Sequence, residues 1–559
     1  MIGSETATDV VVQQGPAAPE RQPVPTSEAL LIQRRHRGLV IVTVAALAVS
    51  VLSLVYFYGR GMTNLYLDGI AHVNIARKVV DSPEHTFWRQ YLQIGSPWLP
   101  VHTVLMLPLV SNDFLWRTGL AGSLISMAAF VLTAIVMYLL AWDLYATPNK
   151  GAHLLPLITA GVFMFNPAIV YMQATPMTES LFMAVLASAV LMLYRWSRNQ
   201  SGARLVAAAA VLVAATLTRY EAWPVAALSI ALVLLYSQGQ VAGKIKNTIV
   251  FSAVVAIGPL YWLWHNWAIF GNPFEFLTGP YSARGLFDQN RGTLGWSTIF
   301  VGHPLLDFFL MLIAVAVCVG PLTILLSAAG LARLTAERRS RIRRDAMVAL
   351  LAVPFFFHVV SLYRGEIQVF PISAFGLLNV RYGLPALLPV ALLVPAVIPA
   401  GRGRVFPFHV LLVLAVIAIQ YGWLLSSGPS GLDVYQEAYR NGVNSRTARE
   451  LSHSSAYLTE NPVQPMVLMH TGALGPLVSH SSLEFSNVIH EGTVRWHELS
   501  HRIPADISTV IIQDRDLLDA RMHSDADLER DLAEKFREAY HEGRIHIYKR
   551  TGLEAEIPK

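Results

Sequence analysis

Long apolar runs alternate with short polar segments from Gly38 to about Ser427. A membrane-spanning helix needs roughly 20 mostly apolar residues to cross the hydrocarbon core. The runs Gly38–Gly59, Thr118–Trp142 and Phe308–Ala332 contain no charged residue. A surface helix of a soluble protein keeps a polar face, so these runs predict membrane spans. Eleven such runs predict a polytopic α-helical membrane protein with about 11 transmembrane helices.

Basic residues flank the apolar runs unevenly. Arg34, Arg35 and Arg37 directly precede the first run, and the positive-inside rule places them in the cytoplasm. Alternate crossings then make the cytoplasmic loops short and basic, with Lys150, Arg195, Arg198, Arg204, Lys244, Lys246, the arginines from Arg333 to Arg344, Arg402 and Arg404. We therefore predict an integral protein of the bacterial cytoplasmic (inner) membrane, with the N-terminus inside and the C-terminal domain outside.

Three segments differ in composition. Residues 1–37 begin with a polar stretch rich in Pro, Ala and Glu, which predicts a disordered cytoplasmic tail. Residues 38–427 form the predicted membrane domain. Residues 428–559 are charged and predict a small extracytoplasmic α/β domain, with β-type runs at Met466–Met469, Thr509–Gln513 and Ile545–Tyr548 and a helix over Leu517–Tyr540.

Composition supports the membrane assignment. The 559 residues have a mean hydropathy of +0.45, and 14% are charged, whereas a soluble domain carries about 25%. The net charge of +5 lies mostly in membrane-flanking loops, so it indicates topology and not nucleic-acid binding. The single cysteine, Cys318, excludes an internal disulfide framework and a cysteine-based metal site.

The first outer loop, about residues 60–117, is too long for a simple connector. Its segment Leu65–Val80 places Asp68, His72 and Arg77 between apolar positions, which predicts an amphipathic helix on the outer membrane face. An ordinary surface helix with a solvated polar face is the alternative.

Two apolar runs are too short to span the membrane. The runs Ser180–Tyr194 and Leu205–Thr218 end at charged residues. Because each run is shorter than the hydrocarbon core, we expect Glu179, Arg219 and Glu221 at its outer end to lie below the outer interface. Ionisable groups at such depth are costly and mark functional sites. Local thinning of the bilayer around plain helix caps is the competing interpretation.

Further polar residues lie at the same predicted face, at the mouths of different helices. Tyr220 lies between Arg219 and Glu221, and Arg381-Tyr382 begins a late, proline-rich span. Together they describe a cavity that opens outward, lined by carboxylates and arginines. The guanidinium fork suits phosphate oxygens, and a carboxylate suits general-base catalysis.

Residues 38–427 resemble the glycosyltransferase-C superfamily, membrane enzymes that take a sugar from a polyprenyl-phosphate carrier. The resemblance rests on the first-loop helix with its aspartate, the number of spans and the trailing outer domain. The pattern Arg381, Tyr382, Pro385 and Pro389 is similar to a late-span pattern of the protein-mannosyl and aminoarabinose transferase branch.

Two features depart from that superfamily. Gly69 follows Asp68, where many relatives carry a second acidic residue, and no WWD motif of the oligosaccharyltransferase type is present. The first departure weighs against a metal site and against a close match to the protein mannosyltransferases.

The resemblance implies an inverting transfer of a hexose or pentose on the outer face, with Asp68 as the catalytic base. Arg219 and Arg381 would hold the leaving phosphate. The implied partners are a polyprenyl-phosphate-linked sugar donor, an acceptor glycan, lipid or protein, and membrane lipids, without nucleic acid. We predict no metal-binding residues and no required cofactor, although a divalent metal stays open. The predicted substrate-binding residues are His72, Glu179, Arg219, Tyr220, Glu221, Arg381 and Tyr382.

Two other classes of function stay open. His497-Glu498-Leu499-Ser500-His501 matches H-E-x-x-H, the zinc-binding pattern of metalloproteases when it lies on a helix. Arg502 and Pro504 follow at once and limit that helix. A transporter or non-catalytic membrane protein is the third class, although no internal repeat is visible and the unusual charges lie near one face.

Overall fold

The computed structural model describes residues 27–82, 86–145, 152–294, 300–337, 346–367, 369, 379–399, 405–426, 433–464 and 466–552. The protein is mostly helical, with a small sheet near the C-terminus. Up to the end of the apolar region the α-helices are, in chain order, α1 (Ser27–Tyr58), α2 (Leu67–Asp81), α3 (Phe87–Leu92), α4 (Pro100–Val110), α5 (Asp113–Arg117), α6 (Leu120–Tyr145), α7 (Leu155–Met164), α8 (Pro167–Met172), α9 (Glu179–Asn199), α10 (Gly202–Thr216), α11 (Ala222–Tyr236), α12 (Val241–Val255), α13 (Ile257–Phe270), α14 (Glu275–Thr278), α15 (Ala283–Leu294), α16 (Pro304–Val319), α17 (Pro321–Glu337), α18 (Val353–Tyr363), α19 (Leu387–Leu393) and α20 (Val405–Ser426).

Helices long and apolar enough to cross a membrane number seven among the described residues, or up to eight if one bent pair is a single span. The pair is α16 and α17, which meet at 106°. Gly320 at the bend has φ +94°, and Pro321 starts the second helix, so the chain turns where glycine tolerates the backbone and proline lacks an amide donor. The predicted eleven spans are not confirmed, because α4, α7, α10 and α11 are apolar but short.

Helix α1 begins inside the segment predicted to be disordered. It starts at Ser27, so the prediction for residues 1–37 is wrong for 27–37. Residues 1–26 lie outside the described part of the chain.

The first-loop helix α2 is buried, although its sequence is amphipathic. It packs against α4 and against the helix at Thr471–Ser479, and His72 and Arg77 are both buried. Arg77 donates to Asp81 (2.5 Å) and to Asp113 (2.6 Å). Ion pairs and protein contacts therefore cover His72 and Arg77, which an ordinary surface helix would leave to solvent, whereas Asp68 stays half-exposed.

The C-terminal part contains a five-stranded sheet of mixed direction. Its order is β2-β1-β3-β5-β4, and β1 runs parallel to β2 and β3, whereas β5 is antiparallel to β3 and β4. The strands are β1 (Val467–Met469), β2 (Val488–Ile489), β3 (Thr509–Gln513), β4 (Phe536–Glu542) and β5 (Ile545–Arg550). The helices are α21 (Asp433–Tyr439), α22 (Arg446–Glu460), α23 (Thr471–Ser479), α24 (Val494–Glu498), α25 (Leu517–Ser524) and α26 (Ala526–Lys535).

The helix predicted over Leu517–Tyr540 is interrupted at Asp525, and the prediction is wrong from Phe536 onwards. The chain forms α25, restarts as α26 and then enters β4. The side chain of Asp525 accepts hydrogen bonds from the backbone amides of Asp527 and Leu528, so it caps a new helix where the prediction continued the old one.

The sheet domain docks on the first loop. Asn74 of α2 donates to the carbonyl oxygen of Gly475 (3.0 Å), and Lys78 lies 3.5 Å from the carboxylate of Glu491. Glu491 also accepts from the backbone amide of Thr471 (2.9 Å). Burial opposes ionisation of Glu491, yet the positive charge of Lys78 and the nearby histidines hold its pKa well below the usual range. The contact between the domain and α2 is therefore a charged one.

The predicted sidedness can be tested with cysteine labels. Asn199 follows a predicted cytoplasmic end, and Ser452 lies on α22 in the predicted outer domain; both are exposed. In a Cys318→Ser background we expect Asn199→Cys and Ser452→Cys to react with an impermeant maleimide from opposite sides of the membrane. Labelling of both from the same side would contradict the odd number of spans.

Candidate active site

Arg381 is the centre of a buried ion cluster. It lies in a 3₁₀ turn, Val380–Ala386, that leads into α19. Its Nη2 lies 2.5 Å from Oδ2 of Asp68, its Nη1 lies 2.8 Å from Oε1 of Glu437, and its Nε lies 3.2 Å from Oε1 of Glu179. Three carboxylates from α2, α21 and α9 thus meet on one guanidinium group.

Arg219 extends the cluster. Its Nη1 lies 2.9 Å from the same Oε1 of Glu179, and its Nε lies 2.7 Å from Oε1 of Glu221. His358 Nε2 lies 3.4 Å from that Glu221 oxygen. Glu179 is the first residue of α9, where the helix dipole favours a negative charge, and it bridges the two arginines. We call the following six residues the ion cluster: Asp68, Glu179, Arg219, Glu221, Arg381 and Glu437.

Tyr382 lies between the two arginines. The ring centroid is 5.3 Å from Cζ of Arg381 and 5.5 Å from Cζ of Arg219, distances typical of cation–π contacts. The ring also stacks on His358, with centroids 4.9 Å apart and an interplanar angle of 16°. Tyr382 therefore fixes the orientation of both guanidinium groups.

Tyr220 does not contact the ion cluster. Its hydroxyl donates to the carbonyl oxygen of Pro97 (2.9 Å) and accepts from Nε1 of Trp262 (2.9 Å). Its ring stacks on Phe276, with centroids 5.1 Å apart. The structure thus gives Tyr220 a packing position, and nothing in its contacts supports the predicted role in substrate binding.

Asp68 is the most exposed residue of the ion cluster. Its side chain is 48% exposed, whereas the side chains of Glu179 and Glu437 are 1% and 0% exposed. A buried arginine that pairs with a half-exposed carboxylate forms an accessible edge on an otherwise closed site. A substrate hydroxyl can approach Asp68 without displacing the protein core.

Negative charge exceeds positive charge in the ion cluster, which has four carboxyl groups and two guanidinium groups. Burial raises the pKa of Glu437, which favours a proton on that carboxyl group and reduces the excess. The guanidinium of Arg381 lies between Asp68, Glu179 and Glu437. It therefore occupies the position that a metal ion bound by these three carboxylates would need.

His72 lies one turn from Asp68 and is buried. Its ring packs on Trp98, with centroids 4.0 Å apart, and meets His102 edge-on at 5.3 Å. Burial lowers the pKa of His72 well below its usual value, which favours the neutral ring. Its Nδ1 has no hydrogen-bond partner among the described residues. The same is true of Oε2 of Glu179 and of Oε2 of Glu437. Buried polar atoms are normally hydrogen-bonded, so these three atoms are available to water or to polar groups of a ligand.

Three residues of this region are absent from the sequence-based prediction. Glu437 lies in a charged segment after the last span, where a carboxylate is ordinary. His358 and His102 are lone histidines in the apolar segments VPFFFHVVSLY and PVHTVLMLPLV. A single ionisable residue within such a segment is the signal that would have revealed them.

The H-E-x-x-H motif does not form a zinc-binding helix. Helix α24 ends at Glu498, and His501 has φ +55°, so His497 and His501 do not lie on one helical face. His501 instead contacts Asp525 (3.3 Å) and Asp527 (3.6 Å). The geometry that the metalloprotease alternative requires is absent from this segment.

Loss of His497 therefore should not change the activity of the protein. We expect His497→Ala to retain wild-type activity and wild-type zinc content, because the motif lacks the helix that would bring its histidines together. Metal analysis of the purified variant checks this expectation. Stoichiometric zinc in the wild type that disappears in His497→Ala would contradict it.

Comparisons with known proteins give weak likenesses only. No protein-family model matches the chain, and no curated protein matches it. The chain is similar to the archaeal oligosaccharyltransferase AglB from Archaeoglobus fulgidus in complex with an inhibitory peptide and a dolichol-phosphate, at 13% identity and a TM-score of 0.47, over 93% of this chain and 75% of that one.

Two other structures of the Archaeoglobus fulgidus oligosaccharyltransferase are also similar. The apo form shares 13% identity at a TM-score of 0.43, over 85% of this chain and 69% of that one. The form tethered to an acceptor peptide containing the NVT sequon shares 11% identity at a TM-score of 0.42, over 89% of this chain and 72% of that one. At these values the likenesses carry no argument about function.

Proposed function

We propose that this protein is a membrane glycosyltransferase that moves a sugar from a polyprenyl-phosphate carrier to an acceptor hydroxyl on the extracytoplasmic face, with inversion. The observation that carries the proposal is the pairing of half-exposed Asp68 with buried Arg381. It combines a reachable base with a fixed cation, the two groups that a single displacement at a sugar phosphate requires.

The step proceeds as one displacement. The acceptor oxygen forms a bond to the anomeric carbon while the bond from that carbon to the phosphate oxygen breaks. The carrier phosphate leaves with the electron pair, and Asp68 takes the hydroxyl proton. Because the acceptor enters opposite the leaving phosphate, the configuration at the anomeric carbon inverts.

Donor binding and activation of the base are linked in this proposal. Without donor, Asp68 pairs with Nη2 of Arg381. A donor phosphate that takes over this nitrogen releases the carboxylate of Asp68 towards the acceptor. Glu179 and Glu437 keep Arg381 in place through its other nitrogens, and Glu221 does the same for Arg219. The arginines then stabilise the charge that grows on the leaving phosphate.

Incubation of the purified full-length chain with radiolabelled polyprenyl-phosphate hexoses and pentoses tests the proposal. Glycan, lipid and protein acceptors are added in turn, and consumption of the labelled carrier is followed. We expect transfer of one sugar class, with the opposite anomeric configuration in the product. Chelator-sensitive peptide cleavage, or solute flux in vesicles without donor consumption, would contradict it.

A further inference from the structure

Two histidines face each other on the last hairpin of the sheet. His541 of β4 pairs in register with His546 of β5, and the two rings stack with centroids 4.4 Å apart and an interplanar angle of 11°. Glu538 of β4 lies beside them, and one ligand atom from each of the three residues lies within 4.8 Å of the others. Two imidazoles and a carboxylate at this spacing match the ligand set of zinc.

Hydrogen bonds at the outer nitrogens select the tautomer that binds metal. His541 Nε2 lies 2.9 Å from the carbonyl oxygen of Gly543. A carbonyl only accepts, so this nitrogen carries the proton and Nδ1 keeps a lone pair. His546 Nε2 lies 3.1 Å from Oδ1 of Asp514, and its Nδ1 faces Oε1 of Glu538 at 2.7 Å. A histidine whose far nitrogen bonds a carboxylate is the usual arrangement behind a metal ligand.

The hairpin is held rigidly. Its turn contains Gly543 at φ +60°, a conformation that favours glycine. Arg544 in the same turn donates to Glu450 (3.1 and 3.0 Å) and to Thr447 (2.9 Å) of α22. The backbone amide of Asp514 donates to the carbonyl oxygen of Arg544 (2.9 Å). The ligand residues therefore stand on a strand pair that is fixed at its tip.

We propose that Glu538, His541 and His546 form a Zn²⁺ site, with Asp514 orienting His546 through a hydrogen bond to its Nε2. Imidazole nitrogen selects zinc over Mg²⁺ and Ca²⁺, which prefer oxygen ligands. Three protein ligands leave the fourth position to water, and the exposed hairpin gives the ion access from solvent. The site is separate from the ion cluster and does not depend on the proposed transferase activity.

Zinc titration of the full-length protein in detergent, by calorimetry, tests this site. We expect one zinc ion to bind the wild type, and binding to be lost in His541→Ala and His546→Ala. The conservative variant Asp514→Asn should weaken binding by about 10–100-fold, because it removes only the partner that orients His546. His523→Ala is the matched control, since His523 is an exposed histidine of the same domain that contacts only Asp519 among the described carboxylates (3.2 Å) and should not affect binding.

A second readout separates coordination from folding. Co²⁺ bound in place of zinc should give the intense visible absorption of a tetrahedral site, and Glu538→Gln should change that spectrum without changing the thermal unfolding temperature of the metal-free protein. Zinc binding that survives His541→Ala and His546→Ala, or that disappears in His523→Ala, overturns the proposal. So does a wild-type protein that binds neither ion, in which case His546 only bridges Glu538 and Asp514.

Discussion

Asp68→Asn should reduce sugar transfer by about 10²–10⁴-fold, the usual contribution of a general base. The amide keeps the shape of the side chain and can still contact Arg381, but it cannot take the proton of the acceptor hydroxyl. Because the Asp68 side chain is half-exposed, the fold and carrier binding should stay close to wild type. The measurement is transfer from radiolabelled polyprenyl-phosphate sugar, together with a separate carrier-binding assay.

The first loop offers a matched control. Asp113 is also a half-exposed carboxylate that pairs with a buried arginine, Arg77. Asp113→Asn should leave transfer within a few-fold of wild type, because this pair is not part of the ion cluster. Full transfer by Asp68→Asn would falsify the assigned base, and Glu179→Gln would then be the next variant to examine.

Substitution of Arg381 should impair carrier binding rather than proton transfer. Arg381→Ala leaves Glu437 buried without its cation, whereas Glu179 keeps Arg219. Breaking a buried pair typically costs about 3–5 kcal/mol of stability. We therefore expect a clear fall in the thermal unfolding temperature of this variant. Weaker carrier binding by Arg381→Ala could therefore result from unfolding as well as from loss of a phosphate contact.

Arg381→Lys separates the two effects. The ammonium group keeps the charge among the carboxylates, but it cannot reproduce the planar fork that contacts Asp68, Glu437 and Glu179 at once. Loss of one charge-assisted hydrogen bond, worth about 1.5–3 kcal/mol, corresponds to roughly 10–100-fold weaker carrier binding. Arg333→Lys, at an arginine that contacts the carbonyl oxygen of Val397, is the control. Wild-type carrier affinity in a folded Arg381→Lys protein would contradict the role of Arg381.

The sequence predicts the members of the ion cluster better than their pairing. Glu179, Arg219, Glu221 and Arg381 stand out because charges at the ends of apolar runs are costly in a membrane. Periodicity and charge do not show which charges meet, because contacts between distant elements depend on packing. Glu437 illustrates the limit: it follows the last span in an ordinary polar segment, yet it contacts Arg381 from a different element.

The sequence likewise predicts some elements of the fold and not others. The β-type run Thr509–Gln513 coincides with β3, because a continuous run of β-branched residues suits a buried strand. Helix α2 begins at Leu67, close to the predicted Leu65. The number of spans does not follow from apolar runs alone, because the structure breaks several runs into helices too short to cross. The sequence does not predict the strand after Lys535, because apolar and polar residues do not alternate along FREAYHE.

The docking of α2 on the sheet domain has a consequence for biogenesis. Asn74 and Gly475 are 401 positions apart, so the ribosome completes the first-loop helix long before its partner exists. Arg381 and Glu437 also follow Asp68 by hundreds of residues. Such long-range contacts form late during assembly. A chain whose translation stops before the sheet domain therefore cannot seat α2 in its final position, and under the proposed function such an incomplete protein should not act on carrier lipids.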